Sequence, residues 1–559
     1  MRKQNILTRT TISMLVASAL TAASAPAFAA DDAQIEQMQN EIRMLEQKLE
    51  AMKNDVAKTK ADVQKTEEAQ QETQAKVEKV ASSVPNPSTQ IRGIPSGKGI
   101  NYGKVNVQFG GFAASETAYR SKSLQSDIGS PFKAVPFGAV NPAYNQTEFR
   151  GTERQSRVSM LATGAVDPDT IVSAYYELDF LSSGTTANPN ESNSFSPRTR
   201  HAYANIDWLN SGFHLLAGQT WSLATLNTHG ITPRNEYIPL TVDAQYNIGF
   251  TWQRQWQLRM VQDWDQKYWA ALSFENSQTV GVGGAAPAGT FNQFGLVPPG
   301  GSLFNPVGGP NAAGTITPAA MSMNKYPDVI AKFAAETDFG HFEIFDVMRN
   351  FQSNYGTGTA AAPTAAYQQS TWTNGIGFGA IIPIVDKTLE FSLSGLSGKG
   401  MGRYGTTQLV DATYNADGSI NPVKSTQLLA GFLWHADPKW DIYGNYGIEK
   451  VSSTTFTSGA TTYGFGDGVT GTSNLACSTP NYGNNQWGAV AGCSAGGYIK
   501  DASEGTLGFW WSFYKGDFGR AAFSVQYSHV KLDSFAAALG GSMSTTDNML
   551  FTSLRYFPF

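Results

Sequence analysis

Residues 520–527 read Arg-Ala-Ala-Phe-Ser-Val-Gln-Tyr, and apolar side chains recur at every second position along this stretch. Successive side chains of a β-strand point to opposite faces, so this segment would present one apolar face and one mainly polar face. The apolar face consists of Ala521, Phe523, Val525 and Tyr527. Residues 104–109 and 389–394 repeat the pattern. Strands of about ten residues with this period are typical of a membrane-spanning barrel with a polar interior.

The connections between the predicted strands alternate in length. Seven short ones fall near residues 165–169, 209–211, 263–266, 339–340, 384–387, 436–439 and 515–517. Eight long ones fall near residues 120–150, 183–196, 221–248, 277–326, 353–370, 400–424, 453–500 and 532–545. In membrane barrels the short turns lie on the periplasmic side and the long loops lie outside. A soluble β-sandwich is the alternative, but it does not require connections sorted by length. We therefore predict an all-β fold, a 16-stranded antiparallel transmembrane β-barrel over residues 103–559.

The composition is compatible with a barrel. The chain has 56 glycines, 12% aromatic residues and only 15% charged residues. Its mean hydropathy is negative, and beyond residue 30 no run of about 18 apolar residues offers a spanning helix. A barrel strand needs an apolar side chain only at every second position, so a low hydropathy does not exclude a membrane protein. Trp208, Trp264 and Trp440 lie at or beside short turns, where an aromatic girdle is expected.

Three segments precede the predicted barrel. Residues 1–29 have a basic start, an apolar centre and the small-x-small site Ala27-Phe28-Ala29, which together predict a signal peptide. Residues 30–80 carry a heptad repeat with a narrow seam, which predicts an α-helical coiled coil in the periplasm that associates with copies of itself. A solvated single helix is the alternative. Residues 81–102 are rich in Ser, Pro and Gly and are predicted to form a linker.

Charge and motif spacing argue against several functions. The net charge is −5, and it becomes −8 once the three cations of the signal peptide are removed, which argues against nucleic acid as a partner. The six histidines are scattered without metal-ligand spacing, and no G-x-S-x-G elbow occurs. We therefore expect no cofactor and no enzymatic activity, with a barrel lipase as the remote alternative.

Cys477 and Cys493 are the only cysteines of the chain, and they lie in a stretch rich in Gly, Ser and Asn. In an oxidising compartment, two such residues are expected to form a disulfide that closes a loop. Two free surface thiols are the alternative.

A pore selects solutes by its diameter and by the charge of its lining, so arginines on the inner face of the strands are the candidate binding residues. The alternation around Arg157 and Arg259 places both side chains in the lumen. The same alternation places Arg254 on the face that contacts lipid, where a charged side chain would be explained only at a contact between subunits. For each arginine, a solvated or girdle position is the alternative.

Two further arginines are candidates for the pore. Arg198 and Arg200 share one face of a predicted strand, although the pattern becomes ambiguous further along it. Arg234 lies in the third long loop, 221–248, which is a candidate constriction loop. Arg157, Arg200, Arg234 and Arg259 together suggest a locally positive constriction that would concentrate anions. Net charge gives no support, because residues 31–80 hold 12 acids and 8 bases, leaving the barrel and linker at −4.

Three segments, 152–157, 198–203 and 217–222, resemble the DcaP-like outer-membrane porins. They read Thr-Glu-Arg-Gln-Ser-Arg, Arg-Thr-Arg-His-Ala-Tyr and Ala-Gly-Gln-Thr-Trp-Ser. The order of signal peptide, coiled coil, linker and barrel is also similar to that family. The resemblance implies a homotrimer of sixteen-stranded barrels with a periplasmic coil, taking up dicarboxylates and related small anions, with Arg157 and Arg200 at or near the pore lining. The chain departs from the family at the barrel entry, where residues 94–98 read Ile-Pro-Ser-Gly-Lys.

Together these observations predict a porin in the bacterial outer membrane, in contact with lipid, through which small anionic solutes diffuse passively. A carbohydrate-preferring or general diffusion porin with a coiled-coil extension is the first alternative. It would need aromatic residues stacked along the lumen, for which Tyr203 and Trp221 are candidates. A structural role is the second alternative, in which the coil tethers the membrane to the cell wall.

Overall fold

The computed structural model describes residues 43–44, 47–48, 50, 53, 99–138, 142–182, 194–279, 284, 287–293, 322, 324–359, 362–478 and 493–558. The chain divides into two units, Met1–Ser83 and Val84–Phe559. The described residues of the first unit are helical. The predicted signal peptide, most of the predicted coiled coil and most of the linker lie outside the described residues, so these segments stay predictions. No helix among the described residues is long and apolar enough to cross a bilayer.

The second unit is built from β-strands. In chain order they are β1 Ile100–Tyr102, β2 Val105–Arg120, β3 Glu148–Thr152, β4 Arg157–Asp167, β5 Thr170–Asp179, β6 Arg198–Trp208, β7 Phe213–Trp221, β8 Arg254–Trp264, β9 Tyr268–Glu275, β10 Thr290–Gln293, β11 Asp328–Thr337, β12 Gly340–Gly358, β13 Pro363–Val385, β14 Leu389–Lys399, β15 Ala412–Tyr414, β16 Ile420–Pro422, β17 Lys424–Asp437, β18 Trp440–Val451, β19 Thr454–Ser458, β20 Thr461–Phe465, β21 Ile499–Gly516, β22 Gly519–Ser534 and β23 Ser544–Phe557. Short 3-10 helices span Phe132–Ala134, Pro142–Asn145, Gly402–Tyr404, Leu475–Ser478 and Ala495–Gly497.

Sixteen strands form a closed antiparallel barrel. Their order around the wall is β2, β4, β5, β6, β7, β8, β9, β11, β12, β13, β14, β17, β18, β21, β22 and β23. The barrel closes where β23 pairs with β2, with Ala113 opposite Tyr556 and Arg120 opposite Met549. Three short strands add to the wall: β1 and β3 pair with β2, and β10 pairs with β12. The predicted number and direction of the strands are therefore confirmed.

The alternation along β22 illustrates why these strands form a wall. Ser524, Gln526 and Ser528 are buried inside the barrel, whereas Tyr527 on the opposite face is exposed. All seven short turns fall within about two residues of their predicted positions, at one end of the barrel. Apolar side chains therefore cover the outside and polar side chains the inside, as period-two patterning requires.

One predicted loop is wrong. The long connection expected at 353–370 is instead a strand hairpin, because β12 continues to Gly358 and β13 starts at Pro363. Cross-strand contacts hold this extension together: the rings of Tyr355 and Tyr367 lie 5.6 Å apart. Apart from these tyrosines, small and polar residues occupy both faces of the extension, so the alternation that reveals a half-buried strand is missing there. The predicted linker also ends early, because β1 begins at Ile100.

Three loops from the end opposite the short turns fold into the barrel. We name them loop 1 (121–147), loop 3 (222–253) and loop 6 (400–423), of which loop 1 includes the undescribed residues 139–141. In loop 3 only His229 is exposed. The predicted third long loop thus does enter the lumen, whereas nothing in the sequence indicated that loops 1 and 6 do so.

Carboxylates on the barrel wall hold loop 3 in place. Backbone amides of the loop donate hydrogen bonds to side chains on four different strands: Leu223 to Glu275 (2.8 Å), Asn227 to Glu343 (3.1 Å), Ile248 to Glu504 (2.8 Å) and Gly249 to Glu449 (2.9 Å). The acceptors lie in two parts of the wall, on β9 and β12 in one and on the neighbouring strands β18 and β21 in the other, with β13, β14 and β17 between the two parts. Loop 3 therefore crosses the interior instead of following one side.

Candidate constriction site

Four arginines and two acids meet where β4, β5, β6 and β8 reach loop 3. We name this group the arginine cluster; its members are Arg157, Arg198, Arg200, Arg254, Glu177 and Asp179. Period-two alternation places Glu177 and Asp179 inside the barrel at the end of β5. Antiparallel pairing of β5 with β6 then sets Asp179 opposite Arg198, and pairing of β4 with β5 sets Glu177 beside Arg157. The cluster therefore follows from strand register.

Arg200 is the centre of the cluster. Its Nε donates to Glu177 and its Nη1 donates to Asp179 Oδ2 at 3.0 Å. Arg198 binds Asp179 through two hydrogen bonds of 2.6 and 2.9 Å, in the bidentate geometry that guanidinium favours. Arg157 Nη1 lies 3.8 Å from Glu177 Oε1. Arg157 and Arg200, which were predicted to share one site, therefore lie at the same carboxylate, Glu177. Glu177 and Asp179 were not identified from the sequence.

Arg254 does not face lipid, so that prediction is wrong. Its guanidinium carbon lies 5.0 Å from the ring centre of Trp221 and 5.6 Å from that of Trp252. Strand β8 begins only at Arg254, and Trp252 belongs to loop 3. The Trp252 backbone amide donates to Tyr404 in loop 6, and its indole Nε1 donates to Thr406. Loop packing therefore overrides strand parity at this strand end.

Arg234 and Arg259 form a second group next to the cluster. Arg259 donates to Gln257 Oε1 at 2.8 Å and to the Trp221 carbonyl at 2.6 Å. Arg234, which has a left-handed backbone with φ of 70°, stacks 5.3 Å above the Tyr175 ring. The His201 ring lies 5.6 Å from that same tyrosine, and it contacts Trp221 in turn. Aromatic rings thus separate the two groups of arginines.

The arginine cluster carries more positive than negative charge. Four guanidiniums face two carboxylates, which leaves a surplus of two positive charges. Several donor atoms are also unsatisfied: Arg157 Nε and Arg254 Nε and Nη1 in the cluster, and Arg234 Nε and Nη1 in the second group, are buried without a hydrogen-bond partner in the described part of the chain. Buried polar atoms without partners are rare in proteins, and a cluster of unused donors on cations suits an anionic ligand.

Tyr246 brings a titratable group from loop 3 to the cluster. Its phenol hydrogen bonds with Arg200, and its backbone is left-handed with φ of 70°. Burial alone opposes ionisation of this phenol, but the guanidiniums of Arg200, Arg254 and Arg157 outweigh that effect and lower its pKa. For Glu236, elsewhere in loop 3, burial prevails over Arg259 and Arg234 and raises the pKa.

All four arginines predicted to bind solute are buried, three of them on the wall and Arg234 within loop 3. Their exposed fractions are 9% for Arg157, 2% for Arg200, 7% for Arg234 and 1% for Arg259. An open water column lined by bare arginines, as expected from the strand pattern, is not the arrangement seen.

Two other expectations concern the cysteines and metal ligands. The sulfur atoms of Cys477 and Cys493 are joined at 2.00 Å, with the Cα atoms 5.0 Å apart, in the connection between β20 and β21. Among the described residues, no group of three or more His, Cys, Asp or Glu side chains is arranged to hold a metal ion.

The fold has a counterpart among solved structures. The outer membrane channel DcaP of Acinetobacter baumannii matches with a TM-score of 0.53 and 16% sequence identity, over 82% of this chain and 99% of that one. The chain has a DcaP-like fold. An anion-selective porin from Comamonas acidovorans matches with 9% identity and a TM-score of 0.41, over 81% of this chain and 99% of that one. No family model and no curated protein matches the sequence.

Proposed function

We propose that the chain is an outer-membrane porin through which small organic anions, dicarboxylates among them, diffuse passively. The observation that carries this proposal is the surplus of two guanidinium charges where loop 3 crosses the barrel. A solute passing this level moves beside the inward loops, within the electric field of the positively charged wall behind them. Fixed positive charge in a narrow, low-dielectric passage raises the local concentration of anions.

The chemistry of the cluster favours carboxylates among anions. Arg157 and Arg254 in the cluster, and Arg234 next to it, retain unbonded donors, and guanidinium groups match the two oxygens of a carboxylate. Glu177 and Asp179 hold Arg200 and Arg198 in fixed positions. We propose that a solute carboxylate competes with these resident acids, so that binding is weak and release is fast, as passive diffusion requires.

The apolar exterior supports a location in a membrane. Exposed aromatic side chains mark the end of the barrel with the short turns: Trp264 is 50% exposed, Trp434 45% and Phe518 77%. A soluble protein rarely exposes so many large apolar residues on one surface. We place the short turns on the periplasmic side, because they are short, and the inward loops on the outer side.

A carbohydrate-preferring porin fits the site less well. The predicted sugar track used Tyr203 and Trp221, but only 5% and 4% of their surfaces are exposed. Trp221 packs edge-on against Tyr246 and Trp252 instead of presenting a free ring face. The homotrimer, the periplasmic coiled coil over residues 30–80 and its contact with the cell wall remain proposals, supported by the heptad pattern and the resemblance.

Reversal potentials in planar bilayers under a potassium chloride gradient test the proposal. A unit charge about 7 Å from an ion's path contributes ~0.6 kcal/mol in water and about half of that at 0.1 M salt, so it changes the anion-to-cation permeability ratio roughly threefold. The variant R157A/R200A removes both surplus charges and should lower the ratio by close to an order of magnitude. E177Q should raise it about threefold.

Arg150 provides the matched control, because it is exposed on β3 outside the arginine cluster. R150A should leave the ratio unchanged. Equal selectivity of R157A/R200A and R150A would refute a role of the cluster, and a wild-type channel without anion preference would refute the proposed solute class.

A further inference from the structure

Lysines are grouped on the outer face of the barrel at the end away from the short turns. Lys399 ends β14, Lys424 begins β17, and Lys450 is the penultimate residue of β18, on three neighbouring strands. All three side chains are exposed, and their parity matches the outward residues Phe432 and Tyr446. We name these three residues the lysine belt.

The lysine belt lies at the height of a lipid headgroup layer. Lys424 is ten residues from Trp434 along β17, and Lys450 is ten residues from Trp440 along β18. Ten residues span about 34 Å along a strand, or roughly 26 Å in height at a tilt of about 40°. The apolar band of an outer-membrane barrel is about 25 Å tall. The tryptophans and the lysines therefore lie at opposite borders of that band.

The lysine belt places like charges next to each other. Lys399 lies directly opposite Lys424 in the β14–β17 register, and Lys450 is opposite Thr426, one outward position further along β17. Like charges directly opposite each other destabilise a strand pair. An anion shared between the two ammonium groups removes that repulsion, and phosphate is the anion that lysine commonly binds.

Further charges continue the lysine belt on one side. Asp501 on β21 is opposite Lys450 and next to Asp533 of β22, while Lys531 pairs with Asp533 at 2.7 Å. Lys500 is exposed beside them. Five lysines against two aspartates leave a positive arc. Elsewhere around the rim, exposed aromatic residues occupy outward positions, as with Tyr119 on β2, Trp256 on β8 and Trp372 on β13.

We propose that the lysine belt binds the phosphorylated headgroups of lipids in the outer leaflet. The position just above the apolar band selects a lipid over a free anion, since the acyl chains would cover the apolar strands below. This inference rests on the membrane location in the proposed function. It adds a lipid site on the outer surface that is separate from the arginine cluster inside.

Binding of fluorescent diphosphorylated lipid A to the full-length protein in nonionic detergent tests the proposal. A lysine at an anionic lipid surface strengthens binding about fivefold, so K399Q/K424Q/K450Q should bind roughly a hundredfold more weakly at low salt. The matched control is K387Q/K439Q/K515Q, which removes three exposed lysines at the short turns of the same region. The control should bind as tightly as the wild type. K399R/K424R/K450R should also retain binding, which excludes a folding defect at these positions.

Two more arms identify the ligand. Removing the phosphates of lipid A should weaken its binding to the wild type about as much as K399Q/K424Q/K450Q weakens the binding of diphosphorylated lipid A. Millimolar inorganic phosphate should not displace diphosphorylated lipid A from the wild type. Equal binding of the two lipids, equal losses in the two Lys-to-Gln triple variants, or competition by inorganic phosphate would each overturn the proposal. Conductance measured in parallel separates the two ideas: a chain that does not conduct refutes the proposed function, whereas a conducting chain without lipid selectivity refutes only the lysine belt.

Discussion

Replacing Lys332 with methionine should loosen loop 3 and destabilise the barrel. The Lys332 ammonium is fully buried and donates to the Thr225 carbonyl (2.8 Å), to Asn227 Oδ1 (3.1 Å) and to Glu343 Oε2 (2.8 Å). Removing one partner of a buried ion pair costs about 3–5 kcal/mol. Glu343 keeps the Asn227 amide and His341 as partners, and methionine fills nearly the same volume, so we expect about 3 kcal/mol, the low end of that range.

Denaturant unfolding in lipid vesicles, followed by tryptophan fluorescence, measures this loss. K267M is the matched control, because Lys267 is exposed in the turn between β8 and β9. The double variant K332M/E343Q removes the unpaired carboxylate charge and should regain part of the lost stability. Single-channel records of K332M should show larger current fluctuations, since Thr225 and Asn227 lose their shared donor. A K332M protein within about 0.5 kcal/mol of K267M, the range of ordinary surface substitutions, would refute the assigned role.

Further predictions concern loop 3 and the cysteines. Because the pKa of Tyr246 is lowered, alkaline pH should convert its phenol to phenolate, which cancels one positive charge beside Arg200 and reduces anion selectivity. In Y246F, this loss of selectivity at alkaline pH should disappear from the reversal potentials. An unchanged loss in Y246F would assign it to another titrating group. The disulfide between Cys477 and Cys493 has a sequence separation of 16 residues, so C477S/C493S should lower the free energy of unfolding by about 3 kcal/mol. Unfolding with and without reductant measures this loss. A stability equal to that of the wild type would show that other contacts hold the loop.

The barrel wall was predictable because its signal is local. The alternation along β22 can be recognised within one strand, and each short turn, rich in glycine, aspartate and lysine, can be recognised between two strands. The strands and the short turns were therefore predicted correctly from the sequence. The inward position of Arg157 and Arg259 followed from the same rule. Glu177 and Asp179 could have been found in this way too, since they share the parity of Ser173 and Tyr175 on β5.

The interior was not predictable because it depends on contacts between distant loops. Trp252 is buried through hydrogen bonds to loop 6, more than 150 residues away in sequence, and no local pattern encodes that contact. Loop 6 itself is anchored by Arg403 and Tyr404, which both bind Asp328 on β11. The extension of β12 and β13 over residues 353–370 was missed for the opposite reason: small and polar residues on both of its faces give no alternation to detect.

The closing seam between β2 and β23 sets the order in which this protein can mature. Thr117 and Thr552, whose hydroxyls hydrogen bond across the seam, are 435 positions apart, so the first wall strand finds its second neighbour only after nearly the whole polypeptide has been made. Until then β2 offers an unpaired edge, which invites aggregation. The wall therefore cannot close before β23 is present, and a premature stop codon anywhere before residue 544 should yield material for degradation instead of a smaller barrel.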